Sequence, residues 1–558
     1  MQNYTVIDSK KLHPNRKFDK YLIFTLLLIL FHTIGNIIWI YLNNIPFGWD
    51  QSAHIIATIK YAHYLKNNVF NIIDFLKLSN YYPIFVYLSG LPLAIISNFN
   101  LKVIQFTGTI FFVISIMFLY FYALQLTKNK RLSFLTAFLF SFFITIAQTS
   151  RDYMLDLPLT AAVLATLFFE EKLREKIQIK HIYLFFISFA IAQSIKWYAF
   201  VYLFIPILFF LCYSIKNNKF RKLINSHFLL GFLLFLILVL PWYLVNYSTI
   251  FQQGSFAFTG ESLIRPSLFS LDFFFSHLKL IIMFQIHFIG FIVFIISSLF
   301  LIKSEWNRKW ELVLILIFNY IFFTFIPNKN IRYLIPLMPF FGITIAYGIN
   351  KLLEAKKPLL ISAASFIILY YLISYLILSF GIPVYPKYKH TLNFPILKWV
   401  DVYYLADYPV KLMYDSNIWP QQSIVEETLA LSDKNKEEIR MLLDVDRLYL
   451  NSDNLRLFAV KKRITNLLIT SYNTKINLKN EQQIQQYLSN FDFALIPQKN
   501  VVGEDKNYIA YRPLLKLQQY FLSRKARNFE LIRTYDLPQS QSLIPDSDTL
   551  FLYKKKTK

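Results

Sequence analysis

The run Tyr21-Leu-Ile-Phe-Thr-Leu-Leu-Leu-Ile-Leu-Phe-His-Thr-Ile-Gly-Asn-Ile-Ile-Trp-Ile-Tyr-Leu42 contains no Asp, Glu, Lys or Arg. At about 1.5 Å per helical residue it can cross the roughly 30 Å hydrocarbon core of a bilayer. It is too long for the apolar core of a cleaved signal peptide, and no small-residue cleavage site follows it. It reads as a membrane helix. Further apolar runs follow near 103–126, 132–149, 156–169, 182–195, 199–214, 227–247, 278–302, 310–326, 333–350 and 359–380. The chain is 56% hydrophobic and 16% charged, against about 45–50% and about 25% in soluble domains. The fold class expected is a polytopic α-helical membrane protein of about eleven spans with a small α/β domain at its C-terminal end.

Charge placement orients the spans. Residues 1–20 carry Lys10, Lys11, Arg16, Lys17 and Lys20, which predicts a cytoplasmic tail. With alternating crossings the cytoplasmic loops become 128–131, 170–180, 216–222, 303–309 and 351–357. Together with the tail these hold 22 Lys and Arg, against nine in the longer outside loops. The net charge of +25 is thus a topology signal, with anionic membrane lipids as its partners rather than nucleic acid. Tyr81 to Ser97 is apolar enough to span, but a crossing there would turn the basic loops outward. Pro83, Gly90 and Pro92 also interrupt it. It is expected to be a re-entrant or interfacial hairpin in a long first outside loop, 43–102. The membrane domain then occupies 21–380.

From residue 381 to 558 ordinary charge density returns after a linker marked by Pro383, Pro386 and Pro395. Strands are expected at 447–450, 467–470, 493–496 and 550–553, and helices at 434–443 and 481–488. Eleven crossings from a cytoplasmic start place this domain outside. Cys212 is the single cysteine, which excludes an intramolecular disulfide and a CxxC metal site. No P-loop, Rossmann, HExxH or GxSxG pattern is present.

Ionisable residues at membrane edges are costly and point to function. Asp50, His54, Arg151, Asp152, Asp156, Lys196, Arg265, Lys329 and Arg332 all fall on the outer side of this topology. In Pro46-Phe-Gly-Trp-Asp-Gln-Ser-Ala-His54, Asp50 and His54 lie one turn apart. Asp50 can cap a helix start or serve as a carboxylate for acid–base work; His54 suits capping or packing as well as a site role. Asp156, two residues before Pro158, reads either as a helix cap or as a second carboxylate, and Arg151 with Asp152 as an ion pair. Lys196 lies in a tight turn, where it can snorkel to headgroups. Lys329 and Arg332 at a helix start make a phosphate cradle.

In these residues the chain resembles the GT-C superfamily of membrane glycosyltransferases, specifically the protein O-mannosyltransferases and the lipid A aminoarabinose transferases. The matching features are Gly48-Trp-Asp50, Arg151 through Asp156-Leu-Pro158, Lys196, Lys329-x-x-Arg332-Tyr-x-x-Pro336, and the terminal pattern Phe529–Ile532 with Leu550–Tyr553. The resemblance implies an inverting transferase that takes a sugar from a polyprenyl-phosphate donor and gives it to an outside acceptor hydroxyl of a lipid, glycan or protein. It casts Asp50 as base or acceptor orienter and Asp156 as its helper. Lys196, Lys329, Arg332 and Arg151 would meet the donor phosphate, while His54, Trp49, Asp152 and Tyr333 would contact donor or acceptor. The segment 81–97 could line the entry for the prenyl chain. No cofactor is implied with certainty; a divalent metal would require Asp50, His54 and Asp156 to converge. Many members carry an Asp-Glu pair where this chain has Asp50-Gln51. The implied location is the cell (inner) membrane, multi-pass, with the site outside. A transporter or lipid flippase is the competing class, disfavoured by the scarcity of Gly in the spans and the lack of repeats.

Overall fold

The computed structural model describes residues 19–66, 70–79, 81–259, 269–327, 329–380, 389–394, 398–403, 414–433, 436–445, 449–464, 466–471, 478, 480–498, 511–538 and 549–556. The tail at 1–18, Arg265 and most of the expected Pro linker lie outside these residues. Helices run in the order α1 Lys20–Leu42, α2 Trp49–Lys66, α3 Ile72–Lys77, α4 Phe85–Ile96, α5 Leu101–Gln105, α6 Thr107–Thr127, α7 Lys130–Phe142, α8 Ile144–Thr149, α9 Asp156–Glu175, α10 Ile179–Gln193, α11 Ala199–Lys216, α12 Phe220–Leu223, α13 Ser226–Thr259, α14 Leu271–Leu280, α15 His287–Lys303, α16 Lys309–Thr324, α17 Met338–Glu354 and α18 Pro358–Phe380. Each of the eleven expected spans falls on helix. Six of them, counting the stretches 101–127 and 331–354 as one each, are long and apolar enough to cross a membrane by length and composition. Leu27, Leu30, Ile34 and Ile37 of α1 and Leu229, Leu233, Ile237 and Leu244 of α13 stay exposed. Without water outside, such faces have no reason to turn inward.

Two expectations change here. The run 278–302 is not one straight span. α14 continues as a π-turn, Ile281–Gln285, and meets α15 at 114°, with His287 at φ 62°. The run's even hydropathy hides the break. The segment 81–97 is a helix, α4, rather than a hairpin. Its 12 residues reach about 18 Å, well short of a bilayer. Gly90 lets α4 lie against Tyr153, because a Cβ there would stand 2.3 Å from the tyrosine hydroxyl oxygen.

The C-terminal part pairs β1 Lys389–Phe394 with β2 Lys398–Tyr403 as an antiparallel hairpin. It then builds a five-stranded sheet from β3 Ile439–Leu443, β4 Leu467–Ser471, β5 Phe493–Pro497, β6 Phe529–Asp536 and β7 Thr549–Lys555. The order is β4-β3-β5-β7-β6, with β3 parallel to β4 and β5, and β7 antiparallel to β5 and β6. Helices α19 Gln421–Leu431, α20 Ser452–Lys461, α21 Glu481–Leu488 and α22 Tyr511–Leu522 complete the domain. The helix expected at 434–443 is instead, over 439–443, a central strand. Charge at 434–440 suggested a solvated helix, but Ile439, Met441, Leu442 and Leu443 are fully enclosed between neighbouring strands and helices. The strand expected at 447–450 is reduced to a bridge at Leu450, with 446–448 outside the described residues.

This domain sits on the end of the bundle that carries Asp50. α20 packs along α2, and Leu457 belongs to the membrane domain's own core. Asn44 donates its backbone N–H to the Asp415 carbonyl at 2.6 Å and its side-chain amide to the Ser416 carbonyl at 2.8 Å. The Asp415 N–H returns a bond to Asn43 Oδ1 at 3.1 Å.

The opposite end is held by charge. α9 runs on past the expected loop start at Glu170 to Glu175, because its charges pair within the protein. Arg174 donates to Glu170 Oε1 from Nε at 2.9 Å and to Glu311 Oε1 from Nη2 at 2.8 Å. Arg308 forks onto both oxygens of Glu171 at 3.0 and 2.6 Å. Glu170, Glu171, Arg174 and Glu311 are all buried. Removing one partner from such a network strands the rest. Arg174→Met is expected to cost about 3–5 kcal/mol, read as a lowered melting temperature of the protein in detergent; an unchanged melting temperature would show the carboxylates to be independent of Arg174.

Candidate active site

Two ion pairs lie side by side at the Asp50 end. Asp50, in the first turn of α2, meets Arg332 with Oδ2 2.5 Å from Nη2. Asp156 opens α9, and its Oδ1 accepts from Lys196 Nζ at 2.7 Å. The pairs differ in access. The Asp50 side chain is 45% exposed, the Asp156 side chain 1%. They are near enough for Lys196 to act on Asp50 and Asp156 on Arg332. Burial opposes ionisation of Asp50, but the Arg332 guanidinium outweighs it and holds its pKa below the usual carboxylate range. Asp156 does not cap α9: the residue ahead of the helix is Leu155, with no side-chain cap. Its Oδ2 is buried and has no hydrogen-bond partner.

Backbone contacts fix Arg332. It lies in a 3-10 turn, Ile331–Leu337, capped by Asn330, whose Oδ1 accepts from the Arg332 N–H at 3.0 Å. The Ile331 carbonyl accepts from Gln285 Nε2 at 3.0 Å, and the Tyr333 carbonyl from the Tyr202 hydroxyl at 2.7 Å. The π-turn after α14 therefore supports the cationic turn. The Tyr333 ring stacks on Phe323 and stands edge-on to Tyr198. His54 is buried between Tyr82 and Tyr87, with Nδ1 3.2 Å from the Tyr87 hydroxyl. Burial lowers its pKa to about 4, so the ring is neutral at pH 7 and packs rather than carries charge.

Other expected site residues lie elsewhere. Arg151 is 1% exposed, with its guanidinium carbon 5.3 Å from the ring centres of Trp39 and Tyr375 and 5.6 Å from that of Phe380. It donates to Asn36 Oδ1 at 3.0 Å and to Ser379 Oγ at 2.7 Å, so it ties α1 to α18. Lys329 bonds the Thr324 and Ile326 carbonyls and lies 3.6 Å above the Phe273 ring. It caps α16 and does not join Arg332; burial lowers its pKa to about 8. Asp152 is half-buried next to Arg151, and burial raises its pKa to about 7. Trp49, one residue before Asp50, is exposed. Tyr82 and Tyr198 were not among the expected residues, yet both stand at the charge cluster. The Tyr81-Tyr-Pro83 doublet beside an apolar run was the one signal for Tyr82.

Among the described residues, Asp50, His54 and Asp156 do not bring three ligand atoms within 4.8 Å of one another. Glu170, Glu171 and Glu311 do so, but at the far end, where Arg174 and Arg308 already occupy them. Among the described residues, the Asp50 end therefore holds no cluster of three His, Cys or carboxylate ligands for a metal.

Residues 82–244 match the family model described as dolichyl-phosphate-mannose-protein mannosyltransferase. No curated protein sequence matches the chain. Among solved structures, ArnT from Cupriavidus metallidurans in the apo state is 12% identical with a TM-score of 0.56, over 96% of this chain and 98% of that one. The same protein bound to undecaprenyl phosphate gives 10% and 0.54, over 96% and 98%. The oligosaccharyltransferase of Archaeoglobus fulgidus, tethered to an acceptor peptide, gives 10% and 0.51, over 97% and 74%. The fold is thus that of the GT-C membrane proteins, shared with these structures across nearly the whole chain, and the mannosyltransferase match falls on α4 to α13 of a multi-pass membrane protein.

Proposed function

We propose that the chain transfers a sugar from a polyprenyl-phosphate donor to an acceptor hydroxyl of a lipid, glycan or protein outside the cytoplasm, with inversion at the anomeric carbon. One observation carries the proposal: an accessible carboxylate, Asp50, is paired with a partly exposed cation, Arg332, beside a second, fully buried pair. ArnT from Cupriavidus metallidurans binds undecaprenyl phosphate, which supports a donor of that class.

In the reaction, the acceptor oxygen forms a bond to the anomeric carbon as that carbon's bond to the phosphate oxygen breaks. The leaving phosphate keeps the bonding electrons, and the hydroxyl proton passes to Asp50. Arg332 serves both ends of this exchange. With no donor it neutralises Asp50 and keeps it a weak base; when the donor phosphate draws the guanidinium, Asp50 loses its counterion and its proton affinity rises. Asp156, pinned by Lys196, remains as a fixed negative charge behind Asp50, and Lys196 positions it rather than reaching the phosphate. Lys329 and Arg151 take no part. The charge bias of the loops supports placing this end outside the cytoplasm.

Three outcomes are expected. Asp50→Asn keeps size and much of the hydrogen bonding but cannot take a proton at neutral pH, so transfer falls by about a hundredfold or more while the protein stays folded. Retention of more than about half of wild-type turnover, measured as sugar release from a polyprenyl-phosphate donor, would remove Asp50 as the base.

Arg332→Gln is expected to raise the barrier by about 2–4 kcal/mol. It should also move the acid limb of the kcat/KM profile to higher pH. The sign follows from the site: without Arg332, burial dominates, the Asp50 pKa rises, and activity is lost at a higher pH as acid is added. An acid limb that stays in place while turnover falls would mean that Arg332 does not set the ionisation of Asp50.

A reporter active only in the cytoplasm, fused after Lys558, should be silent. Strong activity would put the sheet domain and Asp50 on the cytoplasmic side and end the lipid-linked donor scheme as stated.

A further inference from the structure

α14 does not run straight into α15. The backbone N–H of Ile286 bonds the Ile281 carbonyl at 3.1 Å, five residues back, which makes the π-turn Ile281–Gln285. One extra residue in a helix turns the side chains beyond it by about 100°. Gln285 ends this turn, on a bearing that regular helix would not give it, and its Nε2 donates to the Ile331 carbonyl at 3.0 Å. The turn is held where it stands. Thr145 Oγ1 donates to the Phe284 carbonyl at 2.5 Å, and the Tyr371 hydroxyl to the Ile286 carbonyl at 2.9 Å. The residues on both sides of Gln285 are thus tied to α8 and α18, and β2 lies against the same turn.

Gln285 is fully buried, and its Oε1 has no hydrogen-bond partner. A carbonyl can only accept, so the amide must present Nε2 to Ile331 and leave its own oxygen without a donor. A buried polar atom in that state costs stability, and an apolar side chain of similar shape would not incur it. Packing therefore does not account for a glutamine at this position. Its one bond does.

That bond falls one residue from Arg332. On the other side the Tyr202 hydroxyl donates to the Tyr333 carbonyl at 2.7 Å. Asn330 caps the turn from within its own segment, whereas Gln285 and Tyr202 come from other helices and so locate the turn in the bundle. Asp50 stands on α2, and whether Arg332 reaches it depends on that location.

We propose that Gln285 is a positioning residue of the site: its hold on the Ile331 carbonyl places the Arg332 turn and thereby keeps the guanidinium on Asp50. The consequence for catalysis rests on the transferase reading above; the positioning itself does not.

The test follows the ionisation of Asp50. The groups that face it are Arg332 from the 3-10 turn, His54 from its own helix, Lys196 from the turn before α11, Tyr82 from the segment before α4 and Tyr87 from α4. Infrared titration of the full chain in detergent, wild type minus Asp50→Asn, detects the protonated carboxyl without any substrate. Gln285→Met keeps the unbranched shape and removes the amide. The turn then drifts, Asp50 loses its cation, and burial favours the neutral acid. Its titration should move upward by about one pH unit, in the direction that Arg332→Gln moves it. The melting temperature should hold or rise, because the unpartnered oxygen is gone. A purely structural role predicts the opposite, a lower melting temperature with the titration in place. Asn319→Leu is the control. Asn319 is fully buried on α16 and also has an unpartnered Oδ1, but its amide donates to the Ile315 carbonyl of its own helix at 2.8 Å.

If Gln285→Met does not fold, Gln285→Leu carries the comparison. The proposal is overturned if the titration stays in place, if both variants move it only together with a lowered melting temperature, or if Asn319→Leu moves it equally. With a polyprenyl-phosphate sugar donor, the acid limb of kcat/KM should follow the same shift. A titration that moves as expected in a protein that transfers no sugar would end the transferase reading and leave the positioning. Transfer by a protein whose Asp50 titration ignores Gln285 would do the reverse.

Discussion

A charge taken out of water must find a partner, and α9 meets that demand at both of its ends. Asp156 holds Lys196 at one end, and Arg174 gathers Glu170 and Glu311 at the other. The helix is 20 residues long, about 30 Å, the thickness of the hydrocarbon between two polar zones. Each pair also fixes a neighbour: Lys196 brings the turn before α11, and Glu311 brings the start of α16. Neither pairing need add much net stability, since desolvation offsets most of the attraction. What they impose is register. The helix cannot slide along its axis without pulling a charge into lipid, and the elements that carry the site are located against it.

The resting site is close to neutral, with two carboxylates against two cations. Exposure separates their roles. Asp156 and Lys196 are enclosed and cannot exchange partners easily, whereas Asp50 and Arg332 face open space and can. On the function proposed above, an incoming phosphate would add negative charge to a balanced cluster and compete for the accessible guanidinium. The contact that binds such a ligand would then raise the proton affinity of Asp50, linking affinity and activation through one arginine.

Much of this was legible in the sequence because the bilayer imposes a simple rule on composition. Charge-free runs marked the helices, and the one-sided ionisable residues led to Asp50, Asp156, Lys196 and Arg332, which the fold brings together. What was not legible depended on direction in space. Lys329 and Arg332 are three residues apart, yet one side chain turns back to cap α16 while the other reaches Asp50. Arg151 reads as an exposed cation until α1 and α18 close aromatic rings around it. The bend before α15 left no mark, since a π-turn and a left-handed His287 need no change in hydropathy. Ile439–Leu443 was hidden by flanking charge, and the strands on either side decided its conformation.

The seating of α2 against α20 ties the order of synthesis to competence. The helices that precede residue 381 leave the ribosome before residues 452–461 exist, so the α2 surface that α20 covers is bare during insertion. The same is true of Asn43 and Asn44, whose partners Asp415 and Ser416 come later. The helix that bears Asp50 thus gains its packing against α20 only when the last domain has folded onto it. A chain halted at the end of α18 would carry every charged residue of the cluster and still lack the helix that covers α2.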